Sequence, residues 1–98
     1  SIQCFSLENI VIPDNVTSIG QYAFKKCSSL KSIRIPNNVT KISVEAFYDC
    51  DALTDMYFAN PNGWCVDNVK IEESILSSSE SAAAYFKTCR KICVRKDN

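Results

Sequence analysis

The side chains best suited to chemistry in this sequence are six cysteines, at positions 4, 27, 50, 65, 89 and 93, in a chain with no histidine. Without histidine there is no Ser-His or Cys-His pair to activate a nucleophile, and the most frequent general base is missing. Cys89-x-x-x-Cys93, with Cys65 as a third member, is the one conceivable metal set. Zinc sites prefer closer pairs and a fourth ligand, so no metal is expected. A disulfide from Cys65 to Cys89 or Cys93 would staple the C-terminal segment; free thiols are the favoured reading. Asp49 and Asp51 flank Cys50, and Glu72 adjoins Glu73. Paired carboxylates suit acid–base work or calcium, but these read as a solvated corner and a solvated strand end. Ser77, Ser78 and Ser79 have no base near them in sequence and read as helix-capping residues. The isolated glycines, Gly20 and Gly63, cannot form a phosphate-cradling loop. No reaction and no cofactor is expected.

Composition excludes further classes. Eleven basic residues balance eleven acidic ones over 98 residues, whereas a dedicated nucleic-acid binder carries a basic excess. The basic run Lys87, Arg90, Lys91, Arg95, Lys96 could meet an acidic partner, but reads first as a solvated face. No apolar run approaches the ~20 residues needed to span a bilayer. Asn15-Val16-Thr17 and Asn38-Val39-Thr40 match the glycosylation acceptor pattern, which matters only in a eukaryotic secretory setting.

What positions the side chains is a repeat. Ile12-Pro13-Asp14-Asn15-Val16-Thr17-Ser18-Ile19 returns 23 positions later as Ile35-Pro36-Asn37-Asn38-Val39-Thr40-Lys41-Ile42, and Ala23-Phe24-x-x-Cys27-x-x-Leu30 returns as Ala46-Phe47-x-x-Cys50-x-x-Leu53. Aligned from Ile12 and Ile35, ten of 23 positions are identical. A fixed period of this length marks a repeat architecture. Cys4, Cys27 and Cys50 occupy one place in successive units, so they read as small buried hydrophobes in a column. Counting back, Ser1 falls where Phe24 and Phe47 sit, so the first rung is only a second half.

Each unit can be read for local structure. Leu30-x-x-Ile33-x-Ile35 ends in alternation, the mark of a short strand with one buried face. Pro36 ends it by removing a ladder donor, and Asn37-Asn38 is turn chemistry. Val39 and Ile42 give a second short extended piece. Ala46-Phe47-x-x-Cys50-x-x-Leu53 steps by three, which suits a 3₁₀-like turn. Stacking aligns Leu7, Leu30 and Leu53; Ile10, Ile33 and Met56; and Ile12, Ile35 and Phe58 as core columns.

The pattern Leu-x-x-Ile-x-Ile-Pro-x-x-Val-x-x-Ile-x-x-x-Ala-Phe-x-x-Cys-x-x-Leu resembles the BspA-type leucine-rich repeat over about residues 4–58. Ser43 departs from it, because the first copy carries Gly20 there, and that corner is expected to be strained differently. Asn15 and Asn38 stand near the place of the asparagine ladder of commoner leucine-rich repeats. The resemblance implies a mainly β (α/β) right-handed solenoid of 23-residue repeats, an interaction or adhesion role, and a cell-surface or secreted setting with a host or extracellular-matrix partner.

After Tyr57 the repeat fails. Asn60-Pro61-Asn62-Gly63 reads as a turn, Trp64-Cys65-Val66 and Val69-Lys70-Ile71 as strands. Ser77 is the expected N-cap, with Glu80 completing a capping box. Ala82, Tyr85, Phe86 and Cys89 make one apolar stripe on a helix of about ten residues. Ile92 and Val94 suggest a last strand. The expected division is repeats over 1–58 and a C-terminal cap over 59–98, with Trp64 and Phe86 as plugs. Residues alternating with the buried columns must face outward. They form two columns, Asn9, Ser32, Asp55 and Val11, Arg34, Tyr57, and are the candidate site for a protein partner. The partial first rung leaves Leu7 and Ile10 open, so the alternative role is a structural end-piece that caps a longer solenoid or self-associates through residues near 1–20.

Overall fold

The computed structural model describes residues 5–96. Three parallel strands, β1 (Asn9–Ile10), β3 (Ser32–Ile35) and β5 (Asp55–Phe58), form one sheet in the order β1-β3-β5. The register pairs Asn9 with Ser32 and Ser32 with Asp55, then Arg34 with Tyr57 and Ile35 with Phe58. Each step is 23 residues, so the sequence period has become a ladder of stacked rungs. The other wall holds β2 (Ser18–Ile19) and β4 (Lys41–Ile42), also parallel and also 23 residues apart.

Alternation explains which residues turn inward. Along β3, Ile33 and Ile35 are buried while Arg34 is exposed; along β5, Met56 is buried and Tyr57 exposed. Pro36 sits buried immediately after β3, where its missing N–H breaks no ladder bond. The inner wall is completed by Leu30, Leu53, Val39, Ile42, Phe24, Phe47 and Cys50. The first rung departs from the expected columns: Leu7 is 48% exposed and Ile10 and Ile12 only partly buried. Among the described residues, these have a neighbouring rung on one side only.

The segment after each β2-type strand is the least expected part. Its local hydrogen bonds do span three residues, with the N–H groups of Ala23, Lys25 and Cys27 donating to Gly20, Tyr22 and Phe24. The helix does not propagate, because Tyr22, Lys26, Glu45 and Asp49 all have positive φ, between 53° and 60°. A left-handed residue interrupts a right-handed turn. The alternate N–H groups are thereby freed to bond the next rung: Tyr22, Phe24 and Lys26 donate to the carbonyls of Val44, Ala46 and Tyr48 at 3.0, 2.8 and 2.9 Å. The corner is a string of turns zipped to its neighbour, not a 3₁₀ helix. The strained positions are thus 22/45 and 26/49. Neither Gly20 nor Ser43 has a positive φ, so the corner does not require glycine and the expectation of backbone strain at Ser43 is corrected.

After β5 the 23-residue strand register ends, and the chain packs back on the rungs. Asn60 Oδ1 accepts from the Asn62 N–H at 3.0 Å, and the Asn60 carbonyl accepts the Trp64 indole N–H at 3.0 Å. Gly63 has φ +84°, and a Cβ there would lie 2.7 Å from the Lys96 carbonyl oxygen, so the turn requires glycine. Strands β6 (Trp64–Val66), β7 (Val69–Lys70) and β8 (Cys93–Arg95) join the second wall to give the order β2-β4-β8-β6-β7, with β8 antiparallel to β4. Helices α1 (Glu73–Ser77) and α2 (Ser79–Thr88) pack against β5. Ala82 and Phe86 are buried and Tyr85 and Cys89 partly so, as the stripe requires.

Two expectations for this segment are corrected. The N-cap of α2 is Ser78, whose hydroxyl accepts from the Ser81 N–H; Ser77 instead ends α1, a helix that its short length hid. Glu73 opens α1, so the acidic pair marks a helix start and not a strand end. The expected last strand is β8, in which Cys93 is buried, while Val94 is 37% exposed and Ile92, just before the strand, 42%. Cys93 pairs with Ile42 of β4, and that fixes which face turns inward.

Candidate interaction face

The exposed face of the β1-β3-β5 sheet carries the six residues singled out from the sequence. Its two columns differ in how far their polar groups are already satisfied. In the first, the Ser32 hydroxyl donates to Asn9 Oδ1 at 2.7 Å. Asp55 accepts from the Thr54 hydroxyl at 2.9 Å and from Ser79 of α2 at 2.8 Å. Ser32 and Asp55 are partly buried. These three residues tie rung to rung and the last rung to the cap, and they offer a partner little.

The second column is freer. Tyr57 is 53% exposed and Val11 is 90% exposed, both large apolar surfaces facing water. Arg34 lies beside Tyr57 in the register and forms an ion pair with Asp14 at 3.0 Å. Both members of that pair are well exposed, so it is worth only about 0–1 kcal/mol and is readily exchanged for a partner's carboxylate. The ladder stops at Ile10–Ile33, so Val11 flanks the row from just beyond β1. The column offers an aliphatic surface, a guanidinium and a phenol in a line.

The basic run does not make a second face. Arg90 stacks on the Tyr48 ring, with its guanidinium carbon 4.4 Å from the ring centroid, and hydrogen-bonds the Tyr48 hydroxyl. Lys91 pairs with Asp67 at 2.6 Å, Arg95 donates to the Asn37 carbonyl at 2.6 Å, and Lys96 to Asn68 at 2.5 Å. Sequence adjacency hid this dispersal. It also hid the cluster on the turn wall, where Lys25 lies over the rings of Tyr22 and Tyr48 and binds Glu45 at 2.6 Å. That hydrogen bond raises the Lys25 pKa and lowers that of Glu45. The 23-residue offset, shared by Tyr22 and Glu45 and by Lys25 and Tyr48, is the signal that could have found it.

The cysteines separate into three environments. Cys50 is a buried thiol whose Sγ lies 2.9 Å from the Phe24 carbonyl, and burial pushes its pKa up. Cys27 is buried but disulfide-bonded, which corrects its reading as a free thiol equivalent to Cys50. The third member of that register set, Cys4, lies outside the described residues, as does Ser1. Cys65, Cys89 and Cys93 are free, and the Cys89 thiol donates to the Lys91 carbonyl at 3.4 Å. Among the described residues, no three His, Cys, Asp or Glu side chains are grouped to hold a metal ion. No described helix is long and apolar enough to cross a membrane.

The remaining feature is the open end of the first rung. An apolar cavity of about 250 Å³ is lined by Ile10, Ile12, Val16, Ile19, Ala23 and Phe24 among others. It is the place the next column of core residues would fill if the stack continued.

Parallel strands repeating in 23-residue register, with leucines and isoleucines stacked in columns behind them, define a repeat solenoid of the leucine-rich kind. A family model described as BspA type leucine-rich repeat region (6 copies) matches residues 2–93, and the chain belongs to that family. The match runs past residue 58 into the segment that closes the stack. No curated protein and no solved structure matches the chain. Leucine-rich repeats serve generally as protein-interaction modules, presenting a sheet face that no single rung could supply.

Proposed function

We propose that this chain is a non-enzymatic adhesion module which binds a protein partner through the row Val11, Arg34 and Tyr57, in a cell-surface or secreted setting. The observation that carries this reading is the contrast between the two outward columns. One is consumed by internal hydrogen bonds, and the other leaves an arginine and a tyrosine side by side in the register and exposed. Arginine and tyrosine are among the residue types that dominate binding energy at interfaces. Membership of the family supports the setting, and the partner class that suits it is a host-surface or extracellular-matrix protein. The finer architecture belongs to the same reading: a right-handed α/β solenoid, with repeats over 1–58 and a helix-containing cap over 59–98.

The test is binding to immobilised matrix and cell-surface proteins by the native chain and by Arg34→Ala and Tyr57→Ala. Each substitution is expected to weaken binding by about 2 kcal/mol, roughly 30-fold, with the thermal midpoint unchanged because neither side chain is in the core. Retention of full affinity by both variants would contradict the reading.

A second reading, a structural end-piece that self-associates, is favoured by the apolar cavity at the first rung. It predicts dimers by light scattering at high concentration, abolished by Ile12→Lys. A monomer at every concentration removes it.

A further inference from the structure

We propose that Asn62-Gly63, in the turn beside Trp64, is a site of spontaneous covalent modification: the asparagine deamidates to isoaspartate, and the longer main chain loosens the closing segment. Asparagine is a thermolabile residue. It reacts when the N–H of the following residue reaches its side-chain carbonyl, an approach that a side chain on that residue hinders. This is the only Asn-Gly step in the chain. Of the other asparagines among the described residues, Asn9, Asn15, Asn38 and Asn68 precede Ile10, Val16, Val39 and Val69, all branched at Cβ. Asn60 precedes Pro61, which has no N–H, and Asn37 precedes the bulkier Asn38.

The fold sharpens this difference. Asn62 is exposed, and among the described residues nothing hydrogen-bonds its side-chain amide. Nor does any described group accept the Gly63 N–H. Elsewhere one or both reacting groups are engaged. The side chains of Asn9 and Asn68 accept from Ser32 and Lys96, and that of Asn38 donates to the Asp14 carbonyl at 2.9 Å. The N–H groups of Val16 and Val39 are held by the carbonyls of Pro13 and Pro36 at 3.1 and 3.2 Å.

The step balances with water as its one co-reactant. The Gly63 nitrogen attacks Asn62 Cγ, its proton passes through water to the side-chain nitrogen, and ammonia leaves behind a five-membered imide. Water then opens that ring. Opening at the side-chain carbonyl gives aspartate; opening at the main-chain carbonyl gives isoaspartate, whose backbone runs through the side chain and is one methylene longer. Either product adds a negative charge to a chain of zero formal net charge. The turn has no slack for the longer form. Asn60 Oδ1 holds the Asn62 N–H and the Asn60 carbonyl the Trp64 indole N–H, both at 3.0 Å, while the Gly63 carbonyl accepts from the Lys96 N–H at 2.8 Å. These anchors lie on both sides of the Asn62-Gly63 bond. A methylene inserted there must break one of them, displacing Trp64 or parting Gly63 from the chain beyond β8.

The experiment holds the native chain at neutral pH and body temperature in oxygen-18 water and samples it by peptide mass mapping. The same chain unfolded in guanidinium and the variant Asn62→Gln run beside it. Asn62 is expected to be the first asparagine converted in the native chain, at a rate of the same order as in the unfolded one, with isoaspartate the larger product. Asn62→Gln should stay unmodified at that position, because its imide would need six members. Isolated by anion exchange, the isoaspartate chain should unfold at a lower temperature than the unmodified chain, whereas Asn62→Asp, which adds the charge without the methylene, should unfold close to it. Three results would each overturn the inference: an Asn62 that stays intact in the native chain while the unfolded chain converts, first conversion at another asparagine, or an isoaspartate chain with the unmodified unfolding midpoint.

Discussion

Replacing Trp64 with alanine is expected to remove about 4 kcal/mol of folding free energy, within the range for deleting a buried tryptophan. Trp64 is wholly buried, its ring meets Phe58 edge-on at 5.5 Å, and its indole N–H satisfies the Asn60 carbonyl. Alanine would leave a void beneath the last rung and a carbonyl without its donor. Few groups can move into that void, because β6 is held on both edges, by β7 and by β8. For a domain of this size the midpoint of thermal unfolding should fall on the order of 20 °C. The closing segment and the rungs share hydrogen bonds between β4 and β8, so the loss should appear as one earlier transition by circular dichroism. A shift under about 5 °C would show that the cap does not hold the stack, on the same scaling.

Phe47→Ala is expected to cost a comparable 3–5 kcal/mol. Its ring is buried between two others, stacked on Phe24 at 5.3 Å and edge-on to Phe86 at 6.2 Å. It thus joins one rung to the previous rung and to the cap helix. Phe24 occupies the same repeat position but faces the open cavity at the end of the stack. Phe24→Ala should therefore cost less, and Phe47→Leu, which refills most of the space, less again. Chemical denaturation of the three variants checks the order. Equal losses for Phe24 and Phe47 would mean that position within the stack is immaterial.

Much of this was legible in the chain because a repeat states each requirement twice. The 23-residue offset gave the parallel register of Ser32 with Asp55 and of Arg34 with Tyr57 before any strand pairing was known. Alternation along Ile33-Arg34-Ile35 told inside from outside. What stayed hidden were features that need tertiary neighbours. Nothing local marks Tyr22, Lys26 or Glu45 for a left-handed backbone; the demand comes from hydrogen bonds to the adjacent rung. Cys93 turns inward because Ile42 is its ladder partner, which the residues around it do not reveal by themselves. The end of the stack also broke the period's promise, since Leu7 lacks the neighbour that buries Leu30 and Leu53. At the candidate face, sequence supplied six residues in two columns, with Arg34 and Tyr57 the types enriched at binding surfaces. The hydrogen bonds from Ser32 to Asn9 and from Ser79 to Asp55 separate the three that bind the rungs together from the three that stay more exposed.

The functional weight therefore falls on positions where the repeats differ. Shared residues build the columns, while Val11, Arg34 and Tyr57 occupy one repeat position with three different side chains. Specific recognition needs such variation, because a uniform ladder would present the same chemistry at every rung. The most direct measurement is amide hydrogen exchange on the chain alone and when saturated with a captured matrix or cell-surface protein. Protection is expected over residues 31–34 and 54–57, with the turn wall at 22–26 unchanged. Protection confined to that wall or to the closing segment, with β3 and β5 unaffected, would contradict the account.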